Sequence, residues 1–236
     1  MKVPRVGSRH GAFFAFMSPS QCIIAIMSNT DFSRKTANPP VRGRPREFDV
    51  DAICEVVAQV FWARGYRGTS LDEICKATGL MRGSLYGAFG DKHGMLLAAI
   101  EHYSDGSIAQ LAARLNSSEP ADQSLRAALM HYTRSASALE GLDGCFIVNT
   151  TLEMMPEDTQ LHGRIESFMK RTLTLLTAAV IRGQSEGVFN SNLDERAVGD
   201  FLLCMIQGLR VFGKMVHEES RLTAIVDMSM TTIAKR

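Results

Sequence analysis

The sequence predicts an all-α fold in two parts, three compact helices followed by a body of longer ones. Three observations carry that expectation. Apolar residues recur at helical offsets of three and four from Asp49 almost to the C-terminus. Helix-start signals stand where these runs begin, among them Asp49 and the pair Ser70 and Glu73. Glycine or proline stands where the runs stop, as at Gly65, Gly79, Gly90, Pro120, Gly144, Pro156 and Gly187. With 236 residues, 45% of them hydrophobic, the chain is long enough to bury a sizeable core.

The first helix follows Asp49 and carries Ile53, Val56, Val57, Val60 and Phe61 on one face. Phe48 and Ile53 suit a hydrophobic staple, and Gly65 ends the helix after Arg64. Ser70 and Glu73 form a capping box for a second helix, which turns Ile74 and Ala77 inward and stops at Gly79. Leu80 is the apolar residue of the turn. A third short helix places Leu85 and Phe89 inward before Gly90 and Asp91 break and re-cap the chain ahead of Lys92. Further helices are predicted near 91–115, 121–139, 145–155, 159–186, 194–217 and 221–234.

The third helix raises a question of its own. The stretch from Gly68 to Lys92 holds five glycines, although a glycine inside a helix costs about 1 kcal/mol relative to alanine. With Leu85 and Phe89 facing inward, the opposite surface shows Arg82, Gly83, Tyr86 and Gly87, a cation and a phenol with little bulk between them. Glycine there lets another backbone come close, and the major groove of DNA admits one α-helix. The alternative is that Gly83 and Gly87 relieve crowding between helices.

Charge points the same way. The chain holds 26 basic and 25 acidic residues, but residues 1–98 contain 13 basic and 8 acidic ones. Residues 34–46 carry Arg34, Lys35, Arg42, Arg44 and Arg46 without an acid, a composition that suits a polyanionic partner or, alternatively, a solvated linker. Residues 1–41 read as a disordered leader and basic arm that contributes little to the fold. The apolar run from Gly11 to Met27 is interrupted by Ser18, Pro19, Ser20 and Gln21, too broken for a membrane span, and no small-residue cleavage site follows it.

The segments RGRPREFD, FWARGYRGTSLDEICKATGL and RGSLYGAFGDK together resemble the N-terminal DNA-binding domain of the tetracycline-repressor (TetR) family of bacterial transcription regulators. The likeness covers about residues 42–98, with the capping box, the A-x-G-L turn, G-x-L-Y-x-x-F and the following lysine in order. It implies a helix-turn-helix from Ser70 to Phe89, with Met81 to Phe89 as recognition helix, and residues 99–236 as an effector-binding and dimerisation domain. It further implies duplex operator DNA as partner, touched by Arg82, Gly83, Tyr86 and Lys92, with Thr69, Ser70 and the basic arm of Arg42, Arg44 and Arg46 assisting. Met81 stands where many members have a capping Ser or Thr, and Ser84 is the substitute contact.

In the second part, Phe201, Leu202, Met205, Ile206, Leu209 and Phe212 share one helical face, and Leu222, Ile225 and Val226 do the same in the last helix. Such faces close a monomeric core or build a dimer, and the resemblance implies a homodimeric four-helix bundle. Gly144-Cys145-Phe146 with Asn149 is similar to a subgroup of the family that senses an effector or electrophile at this helix. Cys145 falls in the first turn, where the helix dipole favours thiolate, opposed by Glu140 and Asp143. The alternative is a buried structural cysteine. Met95, Phe146, Met154 and Phe168 are candidates to line an apolar effector cavity, or plain core.

No nucleophile elbow, phosphate-binding glycine loop or HExxH motif is present, so an enzyme is the distant class and no cofactor is expected. Five cysteines without a CxxC pair and six scattered histidines indicate neither a metal site nor a disulfide framework, and suit a reducing cytoplasm. The expected protein is a repressor released by a small molecule. A thiol sensor acting through Cys145 and a structural DNA-binding protein without effector stand as alternatives.

Overall fold

The computed structural model describes residues 48–137, 144–216 and 218–235. The basic arm of Arg42, Arg44 and Arg46, and also Glu140 and Asp143, lie outside the described residues. Those residues form α1 (Val50–Gly68), α2 (Leu71–Thr78), α3 (Arg82–Phe89), α4 (Lys92–Leu115), α5 (Ala121–Ser137), α6 (Phe146–Met154), α7 (Thr159–Ser185), α8 (Glu195–Phe212) and α9 (Glu219–Ile233). Among the described residues there is no strand, only a single bridge between Phe189 and Ala234.

The predicted start and stop signals act as local chemistry. The Asp49 carboxylate accepts from the amides of Asp51 and Ala52, and Ser70 and Glu73 close a reciprocal capping box at α2. Gly79 takes the left-handed conformation that ends α2, Asp91 caps α4 through the Gly94 amide, and Asp158 caps α7 through Leu161. Met81 stands at the start of α3 and makes no side-chain cap. The longer helices follow the expected spans, except that α8 ends at Phe212 rather than 217, with Gly213 to Met215 in a turn.

Two cores result. The first gathers Val57, Val60 and Phe61 of α1, Ile74 of α2, Leu85 of α3 and Met95, Leu96 and Ile100 of α4, and continues into Phe146, Ile147, Leu161, Ile165 and Phe168 of α6 and α7. The second is built by α5, α8 and α9 with the later part of α7 and the end of α4. Helix α4, about 36 Å long at 1.5 Å per residue, runs through both and crosses the expected boundary between residues 98 and 99 without a break.

At the end of α1 the chain makes a sharp change of direction at Gly65, with φ 73° and ψ 168°, a conformation essentially confined to glycine. A Cβ there would lie 2.8 Å from Glu153 Oε2 of α6. Gly65→Ala is expected to cost about 1–3 kcal/mol in backbone strain and to displace Glu153 as well. Urea denaturation of Gly65→Ala in wild-type and Glu153→Ala backgrounds separates the two contributions, because only the strain persists when Glu153 is removed.

Candidate nucleic-acid interface and effector domain

Helix α3 is held by Leu85, which is fully buried, and by the half-buried Phe89. Its other positions, Arg82, Gly83, Ser84, Tyr86 and Gly87, are exposed. Space around Gly83 and Gly87 is open, with nothing within 4 Å of the place a Cβ would take. They relieve no crowding inside this chain. Arg82 reaches back to Asp72 of α2 in a 2.5 Å ion pair whose two side chains are both well exposed. An exposed pair of this kind contributes little to stability and is readily exchanged for another anion.

Ser70 is exposed, with its hydroxyl engaged in the capping box. Lys92 stands at the start of α4 with its ammonium 4.4 Å from the centre of the Tyr66 ring. Thr69 departs from the sequence expectation of a DNA-facing hydroxyl. It is buried, and its Oγ1 donates to the Gly65 carbonyl at 2.6 Å, so it braces the bend in α1 instead.

The helix-turn-helix is tied to the body at three places. The Glu153 carboxylate accepts from the amides of Tyr66 at 2.8 Å and Arg67 at 2.7 Å. His93, next to Lys92, lies 2.6 Å from Asp158 at the start of α7. Trp62 of α1 packs edge-on to Tyr103 of α4 and against Phe146 of α6, at ring separations of 5.4 Å and 6.3 Å.

The residues expected to line an effector cavity or to be plain core lie in or against the first core. Met95, Phe146 and Phe168 are buried in the first core, packed against the helix-turn-helix because their helices converge on α1, and Met154 is half-buried against the same cluster. Phe168 also borders a groove of about 380 Å³ between α4 and α7. Asn149 is half-buried and accepts from Lys214 Nζ at 3.2 Å.

Cys145 is buried at the N-terminal boundary of α6. Its sulfur lies 2.6 Å from Arg210 Nη1 of α8 and 3.9 Å from the Tyr103 hydroxyl. The Arg210 guanidinium also sits 4.9 Å from the Tyr132 ring centre. Burial, and secondarily Cys145, push the Tyr103 phenol up. Burial does the same to Tyr132, against the opposing pull of Arg210. Sequence reasoning missed Arg210, Tyr103 and Glu153. The available signal for Arg210 was a cation within the otherwise apolar run FLLCMIQGLRVF.

The expected dimer faces need correction. Leu202, Ile206, Leu209, Leu222 and Val226 are at most 1% exposed inside this one chain, in the second core, so they do not face a second copy. The sequence pattern could not separate two apolar faces on α8. The outer face consists of Phe201, Cys204, Gly208 and Val211, continued by Met215, with Phe201 43% and Met215 72% exposed. Met205, Phe212 and Ile225 are half-buried, and Met228 of α9 is 69% exposed.

Among the described residues, no helix is long and apolar enough to cross a membrane, and no group of three His, Cys, Asp or Glu side chains could hold a metal. The sequence model of the bacterial regulatory proteins of the tetR family matches residues 53–99. That of the tetracyclin repressor-like C-terminal domain matches residues 121–228. The chain belongs to the TetR family of bacterial regulatory proteins. As a TetR-family regulator it is 29% identical over 196 residues to the HTH-type transcriptional repressor ComR of Escherichia coli, covering 81% of this chain and 90% of ComR. The transcriptional regulator AcuR of Cereibacter sphaeroides is 31% identical over 175 residues, covering 67% of this chain and 77% of AcuR. Among solved structures, a cysteine mutant of the TetR family regulator CifR in complex with 26-base-pair operator DNA is 27% identical. It superposes with a TM-score of 0.70 over 80% of this chain and 98% of that one. The TetR-family assignment makes this chain a DNA-binding transcription regulator.

One titratable group in the effector domain gives a pH test. His131 of α5 is pushed down to about 4 by burial, then by Arg114, Arg210 and Arg134. In the unfolded chain it returns to about 6.5, so the unfolded state binds the extra proton between these values and stability falls as pH drops through the window. His131→Asn retains an acceptor for Arg114 and removes the titration. Its melting temperature should fall less steeply than wild type from pH 6.5 to pH 5, above the carboxylate range.

Proposed function

We propose that the protein is a homodimeric repressor that binds a palindromic operator through α3 and leaves it when a small molecule binds in the C-terminal body. It acts by binding, in the cytoplasm, and not by catalysis. The observation that carries this reading is the outer side of α3, where Arg82, Ser84 and Tyr86 project beside open glycines while Leu85 anchors the helix from within. A helix with so little bulk approaches base edges closely, and Arg82 exchanges Asp72 for a base or a phosphate at little cost. Lys92 and the basic arm of Arg42, Arg44 and Arg46 supply phosphate contacts.

The second copy docks on the outer face of α8 and α9. Phe201, Cys204, Gly208, Val211 and Met215 alternate at steps of three and four, the spacing of a helix–helix seam, and open space at Gly208 permits close approach. Two-fold symmetry then sets the recognition helices about one turn of DNA apart. An effector that favours a different separation lowers operator affinity by population shift. CifR in its operator complex supports this reading as a relative of the same fold.

In electrophoretic titrations against a palindromic operator and scrambled duplex, Arg82→Ala and Tyr86→Ala should each lose sequence discrimination, by about 1–3 kcal/mol. Lys92→Ala should weaken both duplexes alike and flatten the salt dependence. Val211→Asp should yield monomers by sedimentation and bind the operator poorly. Equal loss on both duplexes for Arg82→Ala and Tyr86→Ala would remove α3 as the reading helix.

A second reading is favoured by the 2.6 Å approach of Arg210 to the Cys145 sulfur, since a neighbouring cation promotes reaction of a cysteine with electrophiles. In that case Cys145→Ser keeps operator affinity and is no longer released by an alkylating agent. Release of the serine variant by the same agent rules the thiol out as trigger.

A further inference from the structure

Arg210 differs from the arginines that line the outside of the body. Arg126, Arg164 and Arg171 are each answered by a carboxylate, from Asp227, Glu101 and Asp105 respectively. Among the described residues no carboxylate lies within ion-pair distance of Arg210, which meets the Cys145 sulfur and the Tyr132 ring. A guanidinium stays charged in a protein, and Arg210 is half-buried, so part of its hydration is lost without a carboxylate to replace it.

Beside it is a cavity of about 30 Å³ between α4, α5 and α8. Its polar wall is formed by Ser107, Gln110, Arg114, His131, Tyr132 and Arg210, and its apolar wall by Leu111 and Ala128. Arg114 donates to the Gln110 carbonyl at 2.9 Å and lies 3.2 Å from His131 Nδ1, and it too has no carboxylate partner among the described residues. His131 is uncharged at neutral pH, so it adds no third cation and leaves Arg114 an acceptor.

We propose that this cavity is a binding site for a small organic carboxylate, held by the Arg210 and Arg114 guanidinium groups with its hydrocarbon stub against Leu111 and Ala128. The planar fork of a guanidinium matches a carboxylate. The size sets the rest: as it stands the cavity has room for about two waters, enough to seat a carboxylate head only if the lining side chains give way for its short tail, and far too little for a nucleotide or a phosphate ester. The larger groove between α4 and α7 makes no such demand, because Arg164 and Arg171 on its wall are already neutralised by Glu101 and Asp105. The site also has a route to the DNA-binding end. Arg210 touches Cys145, the Tyr103 hydroxyl faces the same sulfur, and Tyr103 packs on Trp62 of α1. Binding stands on this geometry alone; its consequence for the operator rests on the effector-released repressor reading.

Trp62 is the chain's single tryptophan, which gives the test an internal reporter. The full-length protein is titrated with sodium propionate at constant ionic strength, with propionamide and sodium chloride as controls, following Trp62 emission and melting temperature. Propionate is expected to give a saturable change in emission and a rise in melting temperature, with neither control doing so. Arg210→Gln should raise the half-saturating concentration at least tenfold. Arg114→Gln should also raise it, and it keeps the question open to test if the first variant does not fold. An equal response to propionamide or chloride, or wild-type saturation in both variants, overturns the site. Operator titrations run in parallel separate the two claims. A saturable propionate response without operator release upholds the site and counts against its use as the release signal, whereas a protein that never binds a palindromic duplex defeats the repressor reading and leaves the propionate result as it stands.

Discussion

The orientation of the helix-turn-helix depends on one carboxylate. Glu153, near the end of α6, receives the amides of both Tyr66 and Arg67 just where α1 bends. Hydrogen bonds to an ionised acceptor are roughly twice as strong as neutral ones, and these two fix a length of backbone rather than a side chain. The bend needs a residue that tolerates φ 73° and leaves space for the Glu153 oxygens, and glycine meets both requirements. Thr69 completes the joint by donating to the Gly65 carbonyl, and Ser70 caps α2 at the next position. From this joint the direction of α2, and with it α3, follows by short-range chemistry.

The charges divide into two kinds with different consequences. On the exposed side of α3 Arg82 pairs with Asp72 in water, where separating the charges costs little. That face can change partner without a penalty to the fold. Within the body, Arg210 is half-buried between α4, α5 and α8, where the same positive charge is less screened by water than at the surface. It donates to the Cys145 sulfur and lies over the Tyr132 ring, with Arg114 and the neutral His131 on the same cavity wall, and among the described residues it meets no carboxylate. Between the two regions, Trp62 of α1 packs on Tyr103 of α4, whose hydroxyl faces the Cys145 sulfur that Arg210 meets.

The helices were largely legible because their ends are local. Asp49, Ser70 with Glu73, and Gly79 act through hydrogen bonds and dihedral preferences within a few residues, and each takes the form that the sequence predicts. The exposed side of α3 was legible for the same reason, as Leu85 at its centre leaves the other positions to solvent. Long-range partnerships were not. Nothing local says that Glu153 meets Tyr66, or that Arg210 meets Cys145, since both pairs are made by the packing of helices far apart in sequence. The faces of α8 were misread for a related reason. Leu202, Ile206 and Leu209 alternate with Phe201, Met205 and Phe212 so closely that periodicity alone merges them into one stripe. Only the positions of α5 and α9 decide which half is core.

Helix α6 joins these observations mechanically. It is nine residues long, about 13 Å at 1.5 Å per residue, and a helix this short moves as a rigid body. Cys145 at its start touches Arg210, and Glu153 near its end holds the bend of α1. A displacement of α8 relative to α4 that moves Arg210 therefore acts on one end of a lever whose other end sets the helix-turn-helix. The aromatic contact and the His93–Asp158 pair constrain the same movement from α4 and α7, so α6 cannot shift alone. The helix-turn-helix and the start of α4 are thus held to α6 and α7 by the same contacts. Lys92 stands beside His93 at that start, with its ammonium over the Tyr66 ring at the bend before α2, so the lysine and the bend share one set of contacts with the body.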